Sequence, residues 1–153
     1  TGKQGEVMKE SVNYAFKIAF GLLPFEKQKE LINQEDKFGL HIHTPEAAVP
    51  KDGPSAGAAI TLAFYSILTD KKVNNKVAMT GEIDLLQNVT AIGGLGAKLL
   101  GAKRAGATKV LIPQENEQDL ERLRLEGISP EDDDFVVIPV SHFSQVLEHA
   151  LIE

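Results

Sequence analysis

Fourteen consecutive residues without a charge, Ser55 to Leu68 (SAGAAITLAFYSIL), set the tightest limit on what this chain can fold into. A helix that is apolar on every side is covered by protein on every side, so this one is expected to be buried nearly all round and to run through the centre of the domain. The run falls short of the roughly 18 apolar residues that cross a bilayer, and nothing longer occurs elsewhere. With 153 residues, 42% of them apolar, the chain supplies one aliphatic core of ordinary domain size and no second one.

The flanking sequence alternates helix and strand signals. From Glu6 to Phe20, Met8, Val12, Ala15, Phe16 and Ala19 recur at spacings of three and four, the period of an amphipathic helix ended by Gly21 and Pro24. The charged stretch Phe25 to Lys37 holds a helical turn or two around Glu30 to Ile32. Leu40 to His43 alternates as a strand with both histidines on one face, and Thr44 to Gly57 is a Pro- and Gly-rich loop. Val77 to Ile83 and Val89 to Ile92 read as strands joined by the turn Asp84 to Asn88. Then follow a helix from Leu95 to Ala105, a strand from Lys109 to Ile112, a helix from Glu115 to Leu125, a strand from Phe135 to Val140 and a helix from His142 to Ile152. The fold class is α/β, a mixed sheet with packed helices, in a single domain spanning residues 1–153. Because the first residue is Thr1, the sequence is expected to be a piece of a longer chain.

Composition removes several functions. A formal net charge of -6 gives a phosphate backbone no electrostatic reason to bind, so nucleic acid is not an expected partner. The absence of cysteine excludes disulfides, thiolate nucleophiles and thiolate-ligated metals, and it fits a cytoplasmic or other reducing compartment, an organelle matrix included. No secretion signal and no membrane span are present, so a soluble chain with no membrane partner is expected.

The chemistry concentrates in Pro50-Lys51-Asp52-Gly53-Pro54-Ser55-Ala56-Gly57, where a hydroxyl residue stands at the start of the uncharged helix between glycines and prolines. A helix start directs free N–H groups and a positive dipole end outward, which suits an oxyanion beside a nucleophile. The same position suits a plain N-cap, and the local pattern favours neither role over the other. A serine that attacks at neutral pH needs a base, either His or a Lys desolvated enough to lose its charge. Lys98 lies in the small, apolar segment Gly93-Gly94-Leu95-Gly96-Ala97-Lys98-Leu99-Leu100 and is such a lysine, unless it belongs to the solvated face of a helix with Lys103 and Arg104. Spacing alone does not decide between the two.

The segments PKDGPSAG, MTGEI and GGLGAKLLGAKRAG resemble the proteolytic, C-terminal domain of the Lon-type ATP-dependent serine proteases, with the serine in the first and the lysine in the third. The interval from Ser55 to Lys98, 98 minus 55 or 43 positions, agrees with that family's arrangement. GEVMKES at Gly5 to Ser11, HIHTPE at His41 to Glu46 and VLIPQEN at Val110 to Asn116 match in the same order. The resemblance implies a serine endopeptidase with a Ser55–Lys98 dyad that hydrolyses unfolded or damaged proteins. It implies that Thr80 orients the lysine, that backbone N–H groups of Asp52, Gly53 and Ser55 hold the oxyanion, and that no metal or other cofactor is needed here. ATP and Mg would belong to an ATPase outside this sequence, together with the first strands of the domain. Hexameric homo-oligomers and polypeptide substrates are the partners implied. The alternative is a catalytically silent assembly module of the same fold.

Three further features are weighed against this. His41 and His43 are two ligands, too few for a metal centre, and are expected to support the cleft. Asp52 is expected to structure its loop, or to pair with Lys98 in a resting site. The run GAKLLGAK from Gly96 to Lys103 imitates a phosphate loop but has Ala102 and Lys103 where Lys and Ser or Thr are required, so this segment is not expected to bind ATP.

Overall fold

The computed structural model describes residues 1–34 and 39–152, so the end of the charged stretch expected after Phe25 lies outside the described residues. Three parallel strands organise the fold: β1 (Val77–Met79), β4 (Lys109–Pro113) and β5 (Val136–Val140), in the order β1-β4-β5 with Met79 opposite Leu111 and Leu111 opposite Ile138. The side-chain period of two sends neighbouring residues of β4 to opposite faces. Leu111 packs with Ile18, Leu62, Phe143 and Val146, which come from α1 (Glu6–Gly21), α3 (Gly57–Thr69) and α6 (Phe143–Ala150). Val110 and Ile112 pack on the other face with Leu95, Leu99 and Leu120 from α4 (Leu95–Arg104) and α5 (Glu117–Leu125). A parallel sheet covered on both faces explains the near-continuous Val-Leu-Ile composition of its central strand. A third cluster joins α1 and α3 to α2 (Phe25–Asn33) through Ala15, Ala19, Leu31 and Phe64, with Phe16 edge-on to Phe64.

Several expectations are corrected. The uncharged helix does lie between α1 and the sheet, but it is not buried all round: Ile67 is 64% exposed, and Ala63 one turn earlier is exposed too, because α1 and the sheet leave one side uncovered. It also begins at Gly57, two residues after Ser55. Leu40 to His43 form no strand, because their backbone is held by the first residue instead of a ladder: the Thr1 amino group donates to the Ile42 carbonyl at 2.5 Å and Thr44 N–H to the Thr1 carbonyl at 3.0 Å. The helix around Glu30 is longer than one or two turns, running from Phe25 to Asn33.

The single strand expected over Val77 to Ile83 is broken at Thr80 and Gly81. Its second part, β2 (Glu82–Ile83), pairs antiparallel with β3 (Val89–Thr90) in a separate two-stranded sheet. The break has a physical cause. Gly81 N–H donates to the Ser55 carbonyl at 2.9 Å, and the Gly81 carbonyl accepts from Ala58 N–H at 3.1 Å, so this peptide leaves the sheet to join the start of α3. A Cβ at position 81 would lie 2.5 Å from a Val89 methyl, which is why the approach needs glycine. β3 stops at Thr90 because side chains replace a ladder: Ala91 N–H goes to the Glu115 carboxylate and Ile92 N–H to the Asn116 amide oxygen.

Gly81→Ala is therefore expected to lower domain stability by about 1–3 kcal/mol through overpacking, read as a lower urea midpoint. Part of that loss should return in the Gly81→Ala/Val89→Ala double variant, where the methyl in the way has been removed.

Candidate active site

Ser55 sits in a turn just ahead of α3, and the N-cap of that helix is Ala56, which has no side-chain cap. Its hydroxyl therefore performs no capping bond, and among the described residues no protein group hydrogen-bonds it. The carbonyl of the same residue is held from two directions, by Gly81 N–H at 2.9 Å and by the Thr80 hydroxyl at 3.3 Å. Ser55 is thus fixed through its backbone while its Oγ is left unengaged. Gly57, the first residue of α3, lets this corner close, since a Cβ there would meet Ile83 N at 3.1 Å.

Thr80, only 8% exposed, connects Ser55 to Lys98. Its hydroxyl proton goes to the Ser55 carbonyl, so its oxygen presents a lone pair to the Lys98 amine, which donates to it at 3.4 Å. Lys98 projects from the first turns of α4 beside the fully buried Leu99 and is itself half-buried. Burial pushes its amine below the ordinary lysine value, and among the described residues no carboxylate pairs with it to restore the charge. No hydrogen bond joins Lys98 directly to the Ser55 hydroxyl in this structure; Thr80 links Lys98 to the Ser55 carbonyl instead.

Asp52 lies on the same loop but faces elsewhere. Its Oδ1 accepts from Met8 N–H at 2.8 Å and from Gly53 N–H at 2.9 Å, so the carboxylate sits at the N-terminus of α1, which has no cap of its own. It makes no ion pair with Lys98. This bond withdraws Gly53 N–H from the three expected oxyanion donors, whereas the N–H groups of Ser55 and Asp52 have no protein acceptor among the described residues. His41 and His43 are exposed and both contact the Thr1 hydroxyl, at 3.0 Å and 2.9 Å, without bonding Ser55, Thr80 or Lys98. Among the described residues no group of three potential metal ligands occurs.

Thr80 thus brings the Ser55 loop and the half-buried Lys98 to one corner of the fold. Over residues 1–153 the chain matches the family described as Lon protease (S16) C-terminal proteolytic domain. The chain belongs to that family. It is 45% identical to Lon protease 1 of Bacillus subtilis over 157 residues, covering 99% of this chain and 19% of that protein. It is 47% identical to the Lon proteases of Clostridioides difficile, over 100% of this chain and 19% of that one, and of Lachnoclostridium phytofermentans, over 99% and 18%. This Lon proteolytic domain thus spans about a fifth of the length of the relatives it matches. No helix among the described residues is long and apolar enough to cross a membrane.

Two features of this Lon proteolytic domain were not read from its sequence as parts of the site. Gly81 was visible only as a member of MTGEI, and its backbone, not its side chain, does the holding. Asn116 closes the matched segment VLIPQEN, where an asparagine between strand and helix signals an N-cap and gives no hint of a distant partner.

Asp52→Ala is expected to cost the domain about 0.5–2 kcal/mol by uncapping α1, whereas Asp52→Asn, which keeps the acceptor, costs less. Thermal unfolding of the two variants checks this, and equal losses would contradict the capping role.

Proposed function

We propose that this Lon proteolytic domain is a serine endopeptidase in which Ser55 is the nucleophile and Lys98 its general base. The observation that carries the reading is the hydrogen-bonded line from Lys98 through Thr80 to the Ser55 carbonyl, with a half-buried lysine that lacks a carboxylate partner. A neutral amine has one lone pair and two N–H bonds. One N–H directed at Thr80 leaves the lone pair for the Ser55 hydroxyl, and a nucleophile–base contact is commonly looser before substrate binds.

In the proposed reaction the Ser55 Oγ proton passes to Lys98 Nζ as Oγ bonds to the scissile carbonyl carbon. The oxygen that gains the negative charge takes hydrogen bonds from the N–H groups of Ser55 and Asp52, at the positive end of α3. Collapse breaks the C–N bond, and the Lys98 ammonium returns the proton to the leaving amine. Water, deprotonated by Lys98, then attacks the acyl-Ser55 ester; the C–Oγ bond breaks, the Lys98 ammonium returns the proton to Ser55 Oγ, and the second product leaves as an acid. Neither a metal nor a histidine has a step in this scheme.

The wider assignment rests on the family. The substrates would be unfolded or damaged polypeptides, delivered by an ATPase that uses ATP and Mg in another part of a longer protein and enclosed by a homo-hexamer in the cytoplasm or another reducing compartment. Residues 1–153 would act there as the single proteolytic domain.

The test is hydrolysis of an unfolded fluorogenic protein by the full-length protein. Ser55→Ala and Lys98→Ala should each lower kcat by at least about a thousandfold with folding intact, and Lys98→Arg should fare no better because a guanidinium does not deprotonate. Full activity in any of them would contradict the dyad, and an inactive wild type would favour the silent assembly module. The active form is the neutral amine, populated above the Lys98 pKa, which burial holds below its ordinary value of 10.5. Wild-type kcat/KM should therefore rise with pH and level off below that value. A flat profile from neutral to alkaline pH would contradict it.

A further inference from the structure

Lys98 owes its place to the start of α4, yet that start is weakly specified by its own residues. The N-cap is Gly94 at φ +69°, without a side-chain cap and without an acidic residue in the first turn, and the preceding residue is Gly93. Two glycines in succession leave the entry angle of the helix free unless something outside the helix fixes it. The backbone immediately before them is held by a side chain from far along the chain. Asn116 Oδ1 accepts from Ile92 N–H at 3.0 Å, and Asn116 Nδ2 donates to the Ile92 carbonyl at 2.9 Å. One amide thereby satisfies both backbone groups of one residue, as a neighbouring strand would.

Asn116 is built for this and not for its local role. It occupies the N-cap position of α5, where asparagine ordinarily bonds its own helix, but it makes no cap bond there. It is 2% exposed, and its second amide hydrogen is taken by the Asp119 carboxylate at 2.8 Å, which settles which way round the amide lies. The adjacent Glu115 carboxylate accepts from Ala91 N–H at 2.9 Å, extending the hold by one residue. Six positions separate Ile92 from Lys98, and the Lys98–Thr80 contact, at 3.4 Å, is near the limit of a hydrogen bond. A small rotation of α4 about the glycine pair is enough to break it.

We infer that Asn116 is a positioning residue for the dyad: its amide clamps Ile92 and so sets the start of α4 at the angle that keeps the Lys98 amine on Thr80 and within reach of Ser55. The inference rests on the dyad reading above. Without the clamp α4 still forms and packs through Leu95 and Leu99, but Lys98 is free to swing toward solvent and regain its charge. The loss then falls on the chemical step and its pH dependence, and not on substrate binding.

The experiment compares Asn116→Ala, Asn116→Ser, Lys98→Ala and Leu120→Ala in the full-length protein, measuring kcat, KM, the pH profile and the domain's unfolding temperature. Leu120 is a fully buried core residue of α5 with no polar group to hold the Ile92 backbone, so its truncation is the structural comparison. Both Asn116 variants should lower kcat at least tenfold with KM within twofold, and should move the rising limb of kcat/KM to higher pH. Leu120→Ala should lower the unfolding temperature with that limb in place. If Asn116→Ser, which folds with the smaller cavity, keeps kcat and the wild-type profile while Lys98→Ala is inactive, the positioning role is overturned and the dyad stands. If Lys98→Ala is itself active, the dyad falls and the positioning role falls with it.

Discussion

The geometry of the site depends on one peptide unit that does not stay in its sheet. Between β1 and β2 the chain turns aside at Gly81, donates to the Ser55 carbonyl and accepts from Ala58 N–H, joining the sheet to the first turn of α3. Thr80, whose N–H still bonds the Leu111 carbonyl of β4, directly precedes this excursion, so its hydroxyl arrives between the Ser55 carbonyl and Lys98 without any separate device. The Gly81 bond holds Ser55 through its backbone, while the Ser55 hydroxyl has no protein partner among the described residues. The small residues around it, Ala56, Gly57, Ala58 and Gly81, follow from the closeness of that approach.

The proposed mechanism also needs an amine that can lose its proton, and the contacts of Lys98 differ from those of two other lysines. Lys51 donates to the carbonyls of Gly2, Glu46 and Val49, and Lys103 to the Pro130 carbonyl and the Asp132 carboxylate. Lys98 meets only a threonine hydroxyl in a half-buried setting, which does far less to offset the cost of a desolvated charge. Asp52, the nearest carboxylate in sequence to Ser55, is engaged at the N-terminus of α1.

What could be read from the sequence divides along physical lines. Elements whose order comes from periodicity, such as α1 and α6, and from continuous apolar runs, such as β4, were legible to within one or two residues. Elements decided by distant partners were not. The seven residues from Val77 to Ile83 read as one strand until Gly81 finds Ser55, and Leu40 to His43 alternate correctly but have no ladder to join. At the candidate site, Ser55 and Lys98 were proposed from their neighbours' composition and from the family pattern. The choice between N-cap and free hydroxyl, however, needed the observation that α3 starts at Gly57 with Ala56 as its cap. The bond from Gly53 N–H to the side chain directly before it was not legible, nor was the hold of Asn116 on Ile92, 24 positions away.

The central claim is that Ser55 becomes a nucleophile because Lys98 removes its proton. Covalent labelling tests it most directly: the full-length protein is treated with a serine-reactive phosphonyl probe across neutral to alkaline pH, and the modified residue is located by peptide mass spectrometry. The account predicts a single adduct on Ser55, formed faster as pH rises, and no adduct in folded Lys98→Ala. Labelling of Lys98→Ala at the wild-type rate, or an adduct on another residue with Ser55 unmodified, would contradict it.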